Sequence, residues 1–203
     1  MYMEIAAALL LGYVLGSIPF ALVIGKVFYK TDIRNYGSKN LGGGNAGRVL
    51  GKKAGVSVMA LDLLKVTLAI FICSHFKNSD TAMVAAGLAA AVGHCFPLFA
   101  GFKGGKAVAS MYGFLFGMAL FGPYGLEIFF LPLVTFLIVL YLGKIIAAAS
   151  ICSVVVITVY SYFAAESLAM FGALLVFTVL ITVRHRKNIE RIMKHEENKI
   201  TWM

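Results

Sequence analysis

The 203-residue chain predicts an all-α integral membrane protein with seven transmembrane helices, N-terminus outside and C-terminus cytoplasmic, on three grounds. The first is composition. Hydrophobic residues make up 61% of the chain and charged residues 13%, against roughly 25% charged in soluble domains. Mean hydropathy is +0.90, which leaves too little polar surface to cover a water-soluble globule. Soluble enzymes, coiled coils and disordered chains are excluded, and helices follow because lipid offers no partner for exposed backbone groups. The second ground is the spacing of the apolar stretches, and the third is the placement of the basic residues.

The first apolar stretch, 5–25, is about as long as the roughly 20 residues a span requires. Glu4 is its only early charge, whereas a signal peptide opens on a basic region, so it reads as a retained helix. Stretches 54–75 and 81–100 follow. Residues 107–142 are too long for one crossing, and Gly122-Pro123-Tyr124-Gly125 supplies a breaker, giving spans 107–122 and 126–142. Residues 145–183 as one helix would run about 58 Å at 1.5 Å per residue, against a hydrocarbon core of about 30 Å. They must turn back, at Ala164–Ser167 around Glu166, giving 145–164 and 167–183. Six spans with a re-entrant fourth segment is the alternative, since 107–122 is short and glycine-rich.

Orientation follows the positive-inside rule. Sixteen of the 18 Lys and Arg residues fall in segment 26–53, in the link 101–106, at Lys144 and in the tail from Arg184, whereas Lys77 is opposite and Lys65 lies inside the second span. The net charge of +9 therefore reflects membrane topology, with no nucleic-acid partner implied. Residues 1–203 read as a single polytopic domain. Cys73, Cys95 and Cys152 lie in apolar runs without a CxxC pair and read as packing residues.

Three polar clusters crowd the cytoplasmic face. The first runs from Asp32 to Arg48 and contains Ser38, Asn40 and the run Gly42-Gly43-Gly44-Asn45. Backbone amides without bulky side chains can converge on one anion, and a helix N-terminus would add its positive end. Gly42-x-Gly44-x-x-Gly47 also fits the dinucleotide pattern, but no buried strand precedes it. The second is Gly93-His94-Cys95-Phe96-Pro97 with Gly101-Phe-Lys-Gly-Gly-Lys106. It is not a Walker A loop, yet Lys103 and Lys106 beside paired glycines suit phosphate. His94 reads as a helix-end histidine. The third, Arg184-His185-Arg186-Lys187-Asn188, puts His185 and Asn188 three residues apart on one helical face. Inside the second span, Asp62 and Lys65 have ion-pair spacing, and intramembrane charges are functional suspects. No zinc spacing links the four histidines, and no Ser-His-Asp set is evident.

Together these motifs resemble the acyl-phosphate:glycerol-3-phosphate acyltransferases, the PlsY type of bacterial membrane enzyme. The likeness rests on Gly37–Asn45 with Arg48, on Gly93–Pro97 through Phe102–Lys106, and on Arg184–Arg186 with Asn188. It implies transfer of a fatty acyl group from acyl phosphate to the sn-1 hydroxyl of glycerol 3-phosphate, at the cytoplasmic side of the inner membrane, with no cofactor or metal. By that resemblance Ser38, Arg48, Lys106 and His185 are catalytic. Asn40, Gly42, Gly43, Gly44, Asn45, Lys103 and Asn188 bind the two substrates, with the glycine run cradling the donor's head. Lys39 and Ala107 stand where the family commonly has glycine, and Gly44 where it has threonine.

The chemistry suits the residues. Acyl phosphate is an activated mixed anhydride, so no covalent nucleophile is needed. Two anions must be aligned side by side, and positioning of that kind lowers a barrier by about 7–11 kcal/mol, while cations stabilise developing charge. The proton acceptor is either His185, whose ordinary pKa lies near 6.5, or the donor's own phosphate with His185 orienting. A multi-span organophosphate transporter and a non-catalytic relative are the competing readings. Against transport, the halves show no repeat and the polar motifs avoid the midplane.

Overall fold

A computed structural model describes residues 2–77, 79–164 and 166–200, in two compact units that divide at Pro123. The first unit contains α1 (Tyr2–Gly16), α2 (Phe20–Tyr29), α3 (Gly43–Leu50), α4 (Lys52–Cys73), α5 (Ser79–Cys95) and α6 (Val108–Phe121). Short 3₁₀ turns at Ile33–Asn35 and Leu98–Ala100 interrupt its two long loops. The second contains α7 (Glu127–Gly143), α8 (Ile146–Phe163), α9 (Leu168–Arg184) and α10 (Arg186–Met193). No strand occurs among the described residues.

The stretch 5–25, expected as one continuous helix, is broken. Pro19 lacks an N–H and disfavours helical backbone at the residue before it, so α1 stops at Gly16 and α2 restarts at Phe20. The polar loop that follows is anchored by this second half-helix. Elsewhere the helix breaks fall where glycine, proline and length require them. Gly122 and Pro123 separate α6 from α7. At the α8–α9 turn the Ser167 hydroxyl caps α9 by accepting from the Met170 amide at 3.2 Å; Ala165, within the expected turn, lies outside the described residues.

Close backbone contact builds the first unit. A Cβ at Gly12 or Gly16 would run into the backbone of Ala86 or Ala90, so α1 lies against α5 through small residues four apart. Helix α4 is central and packs against α1, α3, α5 and α6. Gly113 of α6 meets the Leu63 carbonyl, and the Thr67 hydroxyl donates to the Gly113 carbonyl at 3.0 Å. Within the second unit, α8 and α9 are joined by the Thr158 and Thr178 hydroxyls, 2.8 Å apart.

Among the described residues, four helical segments are long and apolar enough to cross a membrane: Tyr2–Tyr29, Lys52–Cys73, Ser79–Ala100 and Ile146–Phe163. Helices α9 and α10 reach that criterion together but bend by 59° between them, and α6 and α7 are shorter apolar helices.

Candidate active site

Asp32 organises the start of the first loop. Its carboxylate accepts from the Arg34 amide at 3.1 Å and from the guanidinium at 2.9 and 2.6 Å, with Lys26 3.7 Å away. The Arg34 hydrogen bonds hold the Asp32 carboxyl at about 2, below its ordinary 3.8. Because the folded value is the lower one, the clamp's contribution is complete above about pH 4 and is lost as pH falls through about 2. A carboxyl-carbon NMR titration should therefore find Asp32 still ionised at pH 3, and Arg34→Gln should bring its midpoint back up.

Asn45 then fixes the loop from beneath. Its buried side chain accepts from the Ser38 amide at 2.8 Å and donates to the carbonyls of Ile33 and Tyr36 at 3.2 and 3.3 Å. The Asn45 amide thus shapes the backbone that presents Ser38, whose side chain is exposed.

The three glycines of the run do different things. Gly42 is the N-cap of α3, and its carbonyl takes the amides of Asn45 and Ala46. Gly43 is a packing position: a Cβ there would overlap Met59 and come within 2.8 Å of the Gly55 carbonyl. Gly55 is pressed equally close to Gly47, 2.7 Å from a Cβ to the Gly47 Cα. Only Gly44 faces open space. The run is itself the N-terminal turn of α3, where first-turn amides lack helical acceptors and the dipole is positive. Gly44→Ala is therefore expected to leave folding intact, whereas Gly43→Ala separates α3 from α4 and lowers thermal stability by about 1–3 kcal/mol, read by unfolding in detergent. Arg48 lies exposed in the last turn of α3.

The second loop leaves α5 and returns to it. The Gly104 amide donates to the Cys95 carbonyl at 3.1 Å and the Gly105 amide to the His94 carbonyl at 2.9 Å. A Cβ at Gly104 would strike the His94 carbonyl and the Pro97 ring, and one at Gly105 would overlap the His94 imidazole. These paired glycines serve close packing, and their amides are already bonded within the chain, which leaves the lysines as the loop's groups suited to an anion. Lys106 follows, half-buried, and Ala107 with φ 60° leads into α6. Lys39 has φ 57°. Both positions at which the resemblance leads one to expect glycine thus occupy the left-handed conformation that glycine adopts without strain.

Beneath this loop lies a charged cluster. Asp62, Lys65 and His94 are 1%, 4% and 6% exposed. The Lys65 ammonium reaches the Asp62 carboxylate at 2.7 Å, the Ile18 carbonyl at 2.9 Å and His94 Nδ1 at 3.2 Å. The same Nδ1 lies 3.5 Å from the Asp62 carboxylate, and the Nε2 edge of the ring lies against Gly105. The Ile18 carbonyl is available because Pro19 breaks the first span. The i,i+3 pair expected from sequence thus extends to the helix break and to the glycine loop.

The two loops are joined: the Asn40 amide donates to the Gly104 carbonyl at 3.3 Å. A cavity of about 340 Å³ is lined by Arg34, Asn35 and Lys39 from the first loop and Lys103 from the second.

In the second unit, His185 sits at the bend between α9 and α10 and is buried. Its Nδ1 lies 2.8 Å from the Ile181 carbonyl; a carbonyl only accepts, so Nδ1 carries a proton. The Asn188 side chain donates to Glu197 at 2.6 Å, and Arg191 donates to the other oxygen of Glu197 at 2.6 Å. Glu197 was not singled out from sequence. Its only signal is an acidic residue in a basic tail, nine positions beyond Asn188.

The family model described as glycerol-3-phosphate acyltransferase matches residues 6–195. A glycerol-3-phosphate acyltransferase of Geobacillus kaustophilus is 42% identical over 198 residues, covering 97% of this chain and 96% of that protein. Glycerol-3-phosphate acyltransferase 2 of Bacillus anthracis is 44% identical, covering 95% and 97%. Among solved structures, PlsY, an integral membrane glycerol 3-phosphate acyltransferase in its glycerol 3-phosphate form, superposes with a TM-score of 0.89 at 32% identity, over 97% of this chain and 96% of that one.

Proposed function

This chain belongs to the glycerol-3-phosphate acyltransferase family, and from that premise we propose that it transfers a fatty acyl group from acyl phosphate to the sn-1 hydroxyl of glycerol 3-phosphate. The products are lysophosphatidic acid and inorganic phosphate, in the synthesis of phospholipids. The observation that carries the reading is the Asn40–Gly104 hydrogen bond, which fastens the two cation-bearing loops to each other.

The reaction is a single displacement. The sn-1 oxygen forms the ester bond as the C–O bond of the mixed anhydride breaks, and the hydroxyl proton passes to the departing phosphate. Ser38, Arg48 and Lys106 hold glycerol 3-phosphate. The N-terminal turn of α3 takes the acyl-phosphate head, Gly44 being the position with room beside it. Asn40 and Asn45 set the shape of the first loop, and Lys103 adds positive charge beside the second. The family resemblance assigns His185 and Asn188 to the substrates as well, His185 in an orienting role. No group of the chain need form a covalent intermediate, and cations beside the anhydride stabilise the charge that develops on it.

The whole chain works as one polytopic domain of the bacterial inner membrane. Seven crossings are the four long helical segments together with α6, α7 and α9. The distribution of lysine and arginine puts the N-terminus outside, the C-terminus in the cytoplasm and the reaction at the cytoplasmic rim, where soluble acceptor meets a lipid-borne donor.

The test is direct. Purified protein given palmitoyl phosphate and glycerol 3-phosphate is expected to release phosphate and form lysophosphatidic acid, and palmitoyl-CoA is expected not to replace the donor. Silence with both donors would overturn the reading. Accumulation of labelled glycerol 3-phosphate in sealed vesicles without acylation would point to transport instead.

A further inference from the structure

The cavity shared by the two loops is lined by none of Ser38, Arg48 and Lys106. Its walls are Arg34, Asn35, Lys39 and Lys103. Arg34 is neutralised by Asp32. Among the described residues Lys39 and Lys103 have no carboxylate partner, so two uncompensated positive charges face one space of about 340 Å³. All four lining residues carry a charged or hydrogen-bonding head group. Lys39 is also exposed, and its φ of 57° is a conformation that side-chain-bearing residues disfavour. Nothing in local packing asks for lysine there.

We propose that Arg34, Asn35, Lys39 and Lys103 form a capture site for a soluble phosphate monoester dianion, which is glycerol 3-phosphate on the functional reading above. The site takes the acceptor from solution ahead of its transfer to Ser38, Arg48 and Lys106. Two cations match a dianion in number. Asn35 supplies a hydrogen-bonding amide, and the Asp32 clamp keeps Arg34 from swinging away. Such a site acts on encounter and affinity and leaves the chemical step alone, since a one-sign cleft raises the local concentration of its ligand. Its effect must also fade with salt.

The experiment compares wild type, Lys39→Gly, Lys39→Arg, Lys39→Gly/Lys103→Ser and Lys30→Gly in acyl transfer from palmitoyl phosphate. Lys30 is the matched control: it too is left-handed, with φ 52°, and lies outside the cavity. At low ionic strength Lys39→Gly is expected to raise KM for glycerol 3-phosphate about tenfold with kcat changed less than twofold, and the double variant to raise it further. Lys39→Arg should keep the wild-type KM, Lys30→Gly should have no effect, and 0.5 M salt should close most of the gap. An unchanged KM in Lys39→Gly, or an equal rise in Lys30→Gly, overturns the proposal. So does a variant effect confined to dependence on the phosphatidylglycerol content of vesicles, which would assign the cavity to a lipid headgroup. Calorimetric titration with glycerol 3-phosphate, without donor, separates this proposal from the functional reading. If the wild type transfers no acyl group yet binds about tenfold more tightly than Lys39→Gly, the reaction assignment fails and the capture site stands. Equal affinities overturn the capture site whatever the turnover.

Discussion

Lys106→Ala is expected to lower kcat/KM by at least about 10²–10³-fold, the cost of removing one preorganised charge-stabilising donor, while Cys95→Ala stays near wild type. Lys106 follows a glycine whose amide is bonded to the His94 carbonyl and precedes the left-handed residue that opens α6, so its backbone is held from both sides. Alanine keeps that backbone and removes the half-buried side chain beyond Cβ, ammonium included. Cys95 contributes its carbonyl, which accepts the Gly104 amide, and alanine supplies the same carbonyl. Monodispersity in detergent controls for folding, and phosphate release reads the rate. A Lys106→Ala enzyme of normal activity would remove the lysine from the reaction.

The second large effect belongs to the buried cluster. Lys65→Met is expected to destabilise the protein by about 3–5 kcal/mol, because it takes the ammonium from the buried Asp62 carboxylate and leaves it only the His94 ring 3.5 Å away. It also removes the donor that holds the Ile18 carbonyl at the break of the first span and the His94 ring under Gly105. Asp62→Leu/Lys65→Met is expected to recover much of the loss, since well-packed apolar groups often replace a buried pair at little cost. Thermal unfolding of both variants in the same detergent measures it. A single variant as stable as wild type would show that the pair does not bear on the packing of this unit.

Hydropathy and chain length were enough to mark where most helices end. A 36-residue run such as 107–142 cannot cross lipid once, and Gly122-Pro123 is where it gives way. The break at Ser17–Pro19 escaped the same reasoning because hydropathy does not dip there; only the imino nitrogen of Pro19 announced it. Within the site, residue type outran geometry. Three adjacent glycines look alike in a sequence, yet one caps a helix, one is wedged against α4 and one is open. Their differences depend on Gly55 and Met59, a dozen or more positions away. His94 could not be joined to Asp62 and Lys65 from sequence, because 29 residues separate it from the lysine and only the packing of α5 on α4 brings them together. The left-handed backbone at Lys39 and Ala107 was concealed by the residues themselves, neither of which advertises that conformation.

Asp62 and Lys65 are carried by the same helix, less than one turn apart. Their mutual neutralisation therefore needs no neighbouring segment. As the chain emerges during synthesis, α4 can partition out of the translocation machinery as a dipole instead of two bare ions, before α5 exists to contribute its imidazole. Membrane insertion of this segment and its later docking are thereby separable events, the first secured by the pair alone and the second by the histidine that joins it.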